Sequence, residues 1–569
     1  MSFELHSLVR LLALSLAYWA CDLAIRQGHI HRLLDAAQRR HRALAHALGA
    51  LGMLALVAVC RWEHVAQLAV VRPLVLGLAG LLTWTVVTRD IDVAFGDRQL
   101  WSRLGLVGAC VGLWFQPACL LVVLLLLTRP FEQWANHTIL PIRALQATAA
   151  FLATVELATL LPAGAQSYVP DTATLLFFMF TVQGSHYVTA GLAKLWLGPR
   201  WYSWILDNRL HYMPANAYAW GWGRFVSWPT WRRLVRLIEV GGAPLQAATV
   251  ALELLAPLAL LSPVSALLTC ALLSGFHLGV LACGGFWFWE WVATNLLLAL
   301  AVLALPGSVS SALFGWPSVV ASGLFIAVFP LRNRLWGPIS LAWWETPFTQ
   351  RTHWLAHGAS GATYEVYNDF MCPHERIYGK THACFLAPVR LVTSHLGTIW
   401  DHADRDAIVA AGPSPERLDA VRERFGVQPR DARLAHNHIA YLHRFFGALN
   451  QGARKHVLPS WLRWLKAPGG HCYYWGDLPR FRGQERVVAV SLRFREQYFD
   501  GERLVLIRDE LVQSLDIDDA SAQRRCEPEP SARSMERLLG EAFWQRAPRD
   551  RPETPANPTS DSLGGVGSR

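Results

Sequence analysis

The sequence predicts a polytopic α-helical membrane bundle followed by a mixed α+β soluble domain. Hydrophobic residues make up 53% of the 569 residues and charged residues only 17%, whereas about a quarter of the residues in a soluble domain are charged. Long apolar stretches also stop near residue 335. We therefore divide the chain into a transmembrane helical domain (1–335), a soluble α+β domain (336–530), and a short helix with a disordered tail (531–569).

The first domain contains about nine or ten hydrophobic segments near the ~20-residue length that a helix needs to cross a bilayer. They centre near residues 16, 52, 78, 115, 151, 184, 250, 273, 296 and 320. The 26 tryptophans suit the membrane–water boundary, with ordinary helix packing as the alternative. Basic residues that flank the segments contribute to the net charge of +10, so we expect a lipid bilayer as the partner and no nucleic acid.

The segment from Pro199 to Arg236 is rich in aromatic and basic residues but is not hydrophobic enough to cross the membrane. This composition predicts an interfacial helix in the headgroup region, with an ordered loop as the alternative. Its six arginines also conflict with the orientation that the basic loop from Arg26 to Arg42 would set. The sequence therefore leaves the membrane orientation open.

The soluble domain shows signals for two helices and one β-hairpin. Residues Pro413 to Gly426 and Ala435 to Asn450 have helical patterns with glycine near their ends. The segments VVAVSLRFREQYF and ERLVLIRDELV are joined at Asp500-Gly501, which is a strong hairpin signal. Three histidines are expected at the surface of the second helix: His436, His438 and His443.

Lys194 stands near the end of a hydrophobic segment, TLLFFMFTVQGSHYVTAGLAKLWLG. An ammonium group in hydrocarbon is costly unless it reaches the surface, is paired or loses its proton. Gln183, Tyr187 and Lys194 recur at helical spacing, so they share one helix face. Two interpretations stay open. A lysine in an apolar pocket can act as a base, or Lys194 can extend to the lipid headgroups.

Two further motifs place polar side chains in or beside apolar segments. Asn136 and His137 open the fifth segment, where they either bind a polar ligand or form a helix cap and an interfacial histidine. His277 lies within the eighth segment, and a histidine inside a bilayer commonly faces the bundle interior. Three acidic residues in or beside the segments have no partner that the sequence identifies: Glu239, Glu253 and Glu290.

The polar region contains a weak candidate for a metal site, formed by Cys372, His374, His382 and Cys384. Two short paired motifs of this kind can supply four zinc ligands. Their spacing matches no common zinc module, and the surrounding region is generally rich in histidine. The sequence therefore favours the absence of a metal.

Three of these motifs resemble elements of the vitamin K-dependent gamma-carboxylases and their bacterial relatives, the HTTM membrane-domain proteins. The segment from Tyr187 to Lys194, which reads YVTAGLAK, is similar to the family's Y-x-x-A-G-x-x-K-L element. Trp134-x-Asn136-His137 is similar to its W-x-N-H element. Gly275-Phe276-His277 looks like a third family position, and the resemblance covers about residues 5 to 330.

The resemblance implies a role for each of these residues. Lys194 matches the lysine held to deprotonate the quinol, and His137 matches a histidine thought to contact it. Asn136, His277 and Tyr187 would then bind the quinone. The implied cofactor is reduced vitamin K or another quinol, with O2 and CO2 as co-substrates.

The implied protein is a multi-pass enzyme of the bacterial cytoplasmic membrane that couples quinol epoxidation to carboxylation of glutamate in a peptide or protein. In that chemistry, oxygen adds to the deprotonated quinol, and the resulting base removes the γ proton of glutamate before CO2 is captured. An apolar pocket suits it, since excluding water protects a reactive base. The alternative is a non-catalytic membrane scaffold or peptide-maturation factor, while a transporter is disfavoured because no repeated half is found.

Overall fold

The structure is a computed structural model that describes residues 5–25, 51–94, 99–128, 139–332, 334–338, 341–367, 370–371, 392–393, 395–425, 432–473 and 476–526. These residues are mostly helical, and their β-strands lie between residues 344 and 516. The predicted short helix and tail from residue 531 onward lie outside them.

Helices precede the first strand throughout the described residues. They are α1 (Leu5–Ile25), α2 (Leu68–Val87), α3 (Leu100–Gly112), α4 (Cys119–Thr128), α5 (Ile139–Thr159), α6 (Thr172–Trp196), α7 (Ser203–Asp207), α8 (Tyr212–Trp220), α9 (Trp228–Val240), α10 (Gly242–Leu254), α11 (Pro263–Gly284), α12 (Trp289–Leu303), α13 (Gly307–Leu313) and α14 (Trp316–Val328). Local sequence sets their ends. The Ser262 hydroxyl caps α11 by accepting from the Ser265 amide at 3.0 Å, and Gly285, with φ of 69°, ends the helix.

Two of these helices, α2 and α11, are long and apolar enough to cross a membrane. Two bent pairs pass the same test when each is taken as one span: α9 with α10, bent by 70°, and α13 with Trp316–Arg332, bent by 52°. The described residues thus hold two to four candidate spans, and the predicted nine or ten are not confirmed. One reason for the difference is Pro117, which lies between α3 and α4 and interrupts the helix there. The segment near residue 115 therefore forms two shorter helices.

The aromatic segment from Pro199 to Arg236 differs from the single interfacial helix that the sequence predicts. It forms α7, α8 and the first part of α9. Trp204, Trp220 and Trp231 are buried within the protein, whereas Trp201 is exposed. The segment therefore packs most of its indole rings against other elements of the chain.

Helix α6 is enclosed by other parts of the protein. Almost every side chain from Thr172 to Lys194 is buried, on all sides of the helix. It contacts α1, α5, α10, α13 and α14. A helix that is surrounded in this way can present polar side chains only to other parts of the protein, so Lys194, Tyr187 and their neighbours must find partners inside it.

The C-terminal part contains two antiparallel sheets. The strands are β1 (Trp344–Glu345), β2 (Phe348–Gly358), β3 (Thr363–Val366), β4 (Thr398–Ile399), β5 (Val487–Phe499) and β6 (Leu504–Asp516). Strands β1 and β4 pair, and the larger sheet has the order β3-β2-β5-β6. The predicted hairpin is confirmed as β5–β6, and Gly501 in its turn has a φ of 98° that favours glycine.

Three helices accompany the sheets: α15 (His402–Ala411), α16 (Pro415–Phe425) and α17 (Ala432–Asn450). The last two confirm the predicted helices. The expected surface position is wrong for two of the histidines of α17, because His438 and His443 are 0% and 5% exposed, and only His436 is exposed. The helix packs on the sheet, with the rings of His438 and Trp354 5.9 Å apart, and His443 Nδ1 lies 3.1 Å from Ser521 Oγ.

A buried carboxylate joins the end of α2 to the segment that precedes β5. Asp90 lies 3.0 Å from His456 Nδ1, 2.7 Å from Lys466 Nζ and 3.8 Å from Lys455 Nζ. Burial by itself would raise the pKa of Asp90, but the hydrogen bond from His456 and the two lysine charges outweigh it and hold the pKa well below its usual range. The ionised form is therefore favoured in the folded protein.

Replacing Asp90 with asparagine should destabilise the protein by about 3 kcal/mol, because Lys455, Lys466 and the hydrogen-bonded His456 lose the buried carboxylate that they share. The folded pKa lies below the ordinary value of 3.8, so this stabilisation is present above that pH and is lost as the pH falls below it. Thermal melting in nanodiscs at pH 7 measures the effect. The control is Asp519→Asn, which removes an exposed ion pair with Arg486 and should change the melting temperature little. Equal melting of both variants would contradict the prediction.

Candidate functional site

The structure describes three of the five residues predicted to carry chemistry, namely Lys194, Tyr187 and His277. Asn136 and His137 lie outside the described residues. The weak metal candidates also lie outside them: Cys372, His374, His382 and Cys384. Within the part of the chain that the structure describes, no group of three or more histidine, cysteine, aspartate or glutamate side chains could hold a metal ion.

Lys194 turns into the protein and forms an ion pair with Glu253 of α10. Its Nζ donates to both carboxylate oxygens, at 2.7 and 2.8 Å, and to the Leu341 carbonyl at 3.1 Å. The two side chains are only 9% and 4% exposed, and Nζ lies 5.4 Å from the centre of the Trp204 ring. Of the two open interpretations, this geometry matches an enclosed lysine rather than one that extends to the surface.

Gly191 lies beside this ion pair, where α6 and α10 are close together. A Cβ at that position would lie 3.0 Å from Leu254 Cδ2 and 3.2 Å from Glu253 Cβ, closer than nearly all real contacts. Without a side chain at Gly191, α6 and α10 approach each other, and Glu253 reaches Lys194. Sequence reasoning noted Glu253 but did not pair it. An acid in one apolar helix and a lysine in another are the signal that could have linked them.

Tyr187 and His277 form a second buried pair. The Tyr187 hydroxyl lies 2.7 Å from His277 Nε2. The ring of Trp291 is centred 5.5 Å from each of these two rings, and that of Phe288 is 5.3 Å from His277. We call these four residues the ring cluster. Among the described residues, the buried Nδ1 of His277 has no hydrogen-bond partner.

The ion pair and the ring cluster are arranged along one helix. Tyr187 and Lys194 are seven positions apart in α6, which is about two turns and ~10 Å along the axis. Both side chains therefore lie on the same side of α6, as the sequence spacing predicts. The partner residues, Glu253 and His277, come from α10 and α11, so only the tertiary structure brings them to that side.

Arg143 is a buried polar residue that sequence reasoning missed. Its Nη1 lies 2.5 Å from Nε2 of His186, the neighbour of Tyr187, and its Nη2 donates to the Gly337 carbonyl at 2.7 Å. The arginine is 2% exposed. An arginine inside the fifth apolar segment was the signal, because a guanidinium group in an apolar helix requires internal acceptors.

A third polar group lies beyond the end of α6. Glu345 of β1 receives hydrogen bonds from the Asn208 amide and from Trp343 Nε1, the latter at 3.1 Å. Its own backbone amide donates to Asn208 Oδ1 at 3.0 Å. Burial raises the pKa of Glu345 to about 7, although the hydrogen bonds from Asn208 and Trp343 and the charge of Lys194 oppose the rise. This carboxyl group can therefore gain or lose a proton near neutral pH.

An apolar groove in the described part of the chain is separate from these polar groups. It has a volume of about 730 Å³ and lies between α1 and α14, where Leu8, Leu12, Phe325 and Phe329 are among the lining residues. None of the residues of the ion pair or of the ring cluster lines it. The groove is apolar, so it offers a surface for hydrocarbon and no acid–base chemistry.

The arrangement fits an aromatic ligand that carries hydroxyl groups. The ring cluster supplies aromatic surfaces for contact with a flat ring. His277 Nδ1 is a buried polar atom with no hydrogen-bond partner in the described residues, and a ligand hydroxyl or carbonyl would satisfy it. These residue types are therefore those that a quinol would require, and the ion pair of Lys194 and Glu253 lies on the same side of α6.

Comparisons with known proteins return no relatives. No protein-family model matches the chain, and no curated protein or solved structure matches it.

Replacing Lys194 or Glu253 alone with methionine should destabilise the protein by about 3 kcal/mol or more, because each single change leaves the other charge buried and unpaired. The double variant Lys194→Met, Glu253→Met should recover most of this loss, since it removes both charges. Thermal melting of the four proteins in nanodiscs completes the double-mutant cycle. If the two single effects simply add in the double variant, the residues are not coupled.

Replacing Glu345 with glutamine should remove a pH dependence of stability. In the unfolded chain this carboxyl ionises near 4.5, and in the folded protein near 7. The wild type therefore loses up to a few kcal/mol of stability as the pH rises through this window. Glutamine does not titrate, so the melting temperature of Glu345→Gln relative to wild type should rise from pH 4.5 to 7 and then stay level. A difference that is constant across the window would contradict the prediction, because it would mean that folding does not raise the pKa of Glu345.

Proposed function

We propose that the protein is a multi-pass membrane enzyme related to the vitamin K-dependent carboxylases. It deprotonates a reduced quinone and couples the oxygenation of that quinone to the carboxylation of glutamate or a related modification. The observation that carries the proposal is that Lys194 is enclosed and paired with Glu253 at 2.7 Å, on the same side of α6 as the ring cluster. A lysine placed at the surface would give this proposal no support.

The proposal takes the helices up to residue 335 as a membrane bundle that carries the β-containing domain at one end. Two contacts support this arrangement, because both candidate spans end against the same domain. Thr88, just after α2, accepts from the Ala467 amide at 2.9 Å. Gly285, just after α11, accepts from the Cys472 amide at 2.9 Å. The ion pair, the ring cluster and Glu345 all lie toward this end of the helices.

Lys194 Nζ is the atom that takes up a proton in the proposed reaction, and it can do so only in its neutral form. In this proposal, Glu253 is the group that accepts the ammonium proton. Transfer of one proton from Nζ to the carboxylate converts two buried charges into two neutral groups, and a low-dielectric surrounding favours such a change. After this transfer the Glu253 carboxyl group carries the proton. The neutral Nζ of Lys194 can then accept another proton from a donor beside it.

The ring cluster orients the substrate in this proposal. When Tyr187 donates its hydroxyl proton to His277 Nε2, the histidine carries its own proton on Nδ1 and can donate it to a ligand oxygen. A reduced quinone, when bound, supplies with O2 and CO2 the oxygenation chemistry and the new carboxyl group. The contacts proposed for Asn136 and His137 rest on the family resemblance alone.

The same ion pair also supports the alternative function, a non-catalytic scaffold. Lys194 links α6, α10 and the Leu341 carbonyl that leads into the domain. A scaffold would keep this link for stability and would need no proton transfer. The enzyme and the scaffold therefore lead to different expectations for Lys194 variants that still fold. Such variants lose a reaction only if the protein is the enzyme.

The test uses the purified protein in nanodiscs with reduced vitamin K, oxygen, labelled bicarbonate and a glutamate-containing peptide. Epoxide and fixed label are followed separately. The variant Lys194→Ala, together with the charge-balanced double variant Lys194→Ala, Glu253→Ala, should lower both products by about 100-fold or more. The control is Lys466→Ala, since this lysine is paired with Asp90 outside the bundle.

The products distinguish the candidate functions. Both products, lost in the Lys194 variants and kept in the control, support the carboxylase-like enzyme. Epoxide without fixed label supports quinol oxygenation with a different acceptor. Neither product from folded wild-type protein would reject the proposal and favour the scaffold.

A further inference from the structure

The larger sheet carries like charges directly opposite each other. In the pairing of β2 with β5, two arginines, Arg351 and Arg495, are opposite each other, and the next pair on this face is His353 with Arg493. These residues alternate along each strand, so their side chains lie on one face of the sheet. Like charges at opposed positions repel, and the arrangement therefore requires acidic partners.

Two acids compensate three arginines at this face. Asp477 accepts from Arg224 and from Arg495, each at 2.6 Å. Asp509 accepts from Arg493 at 2.8 Å and from Arg495 at 2.9 Å. Together with Arg351, the three arginines form what we call the arginine cluster. The remaining acid, Glu365, is left for Arg351.

Arg351 is poorly satisfied despite its burial. It is 5% exposed, and its Nη1 donates to the Trp220 carbonyl at 3.1 Å. Among the described residues, its Nε and Nη2 have no hydrogen-bond partner. The nearest Glu365 oxygen is 3.7 Å from Nη2, which is an ion-pair distance but too long for a hydrogen bond. Nδ1 of His353, two residues along β2 and 9% exposed, also has no partner among these residues.

The two unsatisfied donors of Arg351 lie on the same edge of its guanidinium group. Nε–H and the adjacent Nη2–H are parallel, and this edge matches the two oxygens of a carboxylate. Leaving such donors unbonded in the protein interior is costly. The unused edge therefore points to a ligand rather than to a structural contact already made.

We propose that Arg351 and His353 form a binding site for a carboxylate of an acidic peptide. In this site, Nε and Nη2 of Arg351 each donate a hydrogen bond to one oxygen of the carboxylate. The charges favour a carboxylate over a phosphate. The arginine cluster carries four positive charges, and Asp477, Asp509 and Glu365 supply three negative charges. One carboxylate would bring the sum to zero, whereas a doubly charged phosphate would leave one negative charge in excess. The exposed Asp477 and the partly exposed Arg493 mark where the cluster opens to solvent.

The protonation states agree with this assignment. Burial lowers the pKa of Arg351 to about 10, with Glu365 opposing the change, so the guanidinium stays charged at neutral pH. Burial, followed by the charges of Arg351, Arg495 and Arg493, lowers the pKa of His353 well below its ordinary value. His353 is therefore neutral and can offer a hydrogen bond without adding charge.

An aromatic path connects this site to the ring cluster. Trp220, whose carbonyl accepts from Arg351, has its ring 4.4 Å from that of His395. The ring of Phe286 is 5.2 Å from His395 and 6.4 Å from Phe288 of the ring cluster. A peptide held at Arg351 would thus be held on the side of the sheet that is joined to the proposed quinol site. The nature of the peptide as a substrate rests on the proposed function, but the binding site does not.

The test measures binding without any quinone. Full-length protein in nanodiscs is titrated into a fluorescently labelled peptide of glutamate and glycine, and into a matched peptide with glutamine in place of glutamate. Arg351→Gln should raise the Kd of the glutamate peptide about tenfold or more. Arg351→Lys, which keeps the charge but loses the two-donor edge, should also weaken binding. The control is Arg503→Gln, an exposed arginine at the β5–β6 turn, which should bind as wild type.

Several outcomes would overturn the proposal. One is an unchanged Kd for folded Arg351→Gln, which would mean that Glu365 satisfies the arginine. Others are equal binding of the glutamine peptide, or inorganic phosphate competing more strongly than acetate. If Arg351→Gln does not fold, as judged by melting, the comparison of Arg351→Lys with wild type decides.

The binding assay and the quinol assay test the two proposals separately. Loss of peptide binding with intact, Lys194-dependent quinol oxygenation rejects this site alone. Peptide binding without any quinol reaction rejects the proposed function alone.

Discussion

The buried ion pair of Lys194 and Glu253 constrains how the helical part of the chain is arranged. Neither charge is stable alone among apolar side chains, so the two helices that carry them must meet. They meet where Gly191 offers no side chain. The Leu341 carbonyl completes the set of acceptors for the ammonium group, which fixes the start of the C-terminal part against α6. One ion pair therefore links three distant segments of the chain.

The polar groups of the candidate site lie toward the end of the helices that meets the sheets. The ring cluster, the ion pair and Glu345 follow each other toward the domain, and an aromatic path continues from Phe288 through Phe286 and His395 to Trp220. The apolar groove between α1 and α14 lies apart from this region. This distribution follows from desolvation, since polar groups in an apolar bundle are stable only where other polar groups or backbone acceptors are in reach.

The candidate site was predictable in part. The spacing of Tyr187 and Lys194 places them on one helix face, and His277 is recognisable as a polar residue in an apolar segment. Their partners were not predictable, because Glu253 and Arg143 lie far from Lys194 and His186 in the sequence, and many pairings satisfy the same composition. The two unsatisfied donors of Arg351 were also not predictable from the sequence. They depend on the 3.7 Å distance between Arg351 Nη2 and the nearest Glu365 oxygen, and only the packing of the sheet sets this distance.

The sequence by itself determined the elements whose signals are local. The β5–β6 hairpin follows from alternating residues around Asp500-Gly501, and the two C-terminal helices follow from their periodicity and their glycines. Tertiary structure decided which faces became buried, as His438 and His443 show, and how many helices are long and apolar enough to cross a membrane. The physical reason is that periodicity identifies a face of an element, whereas burial and partner choice depend on which other surface packs against that face.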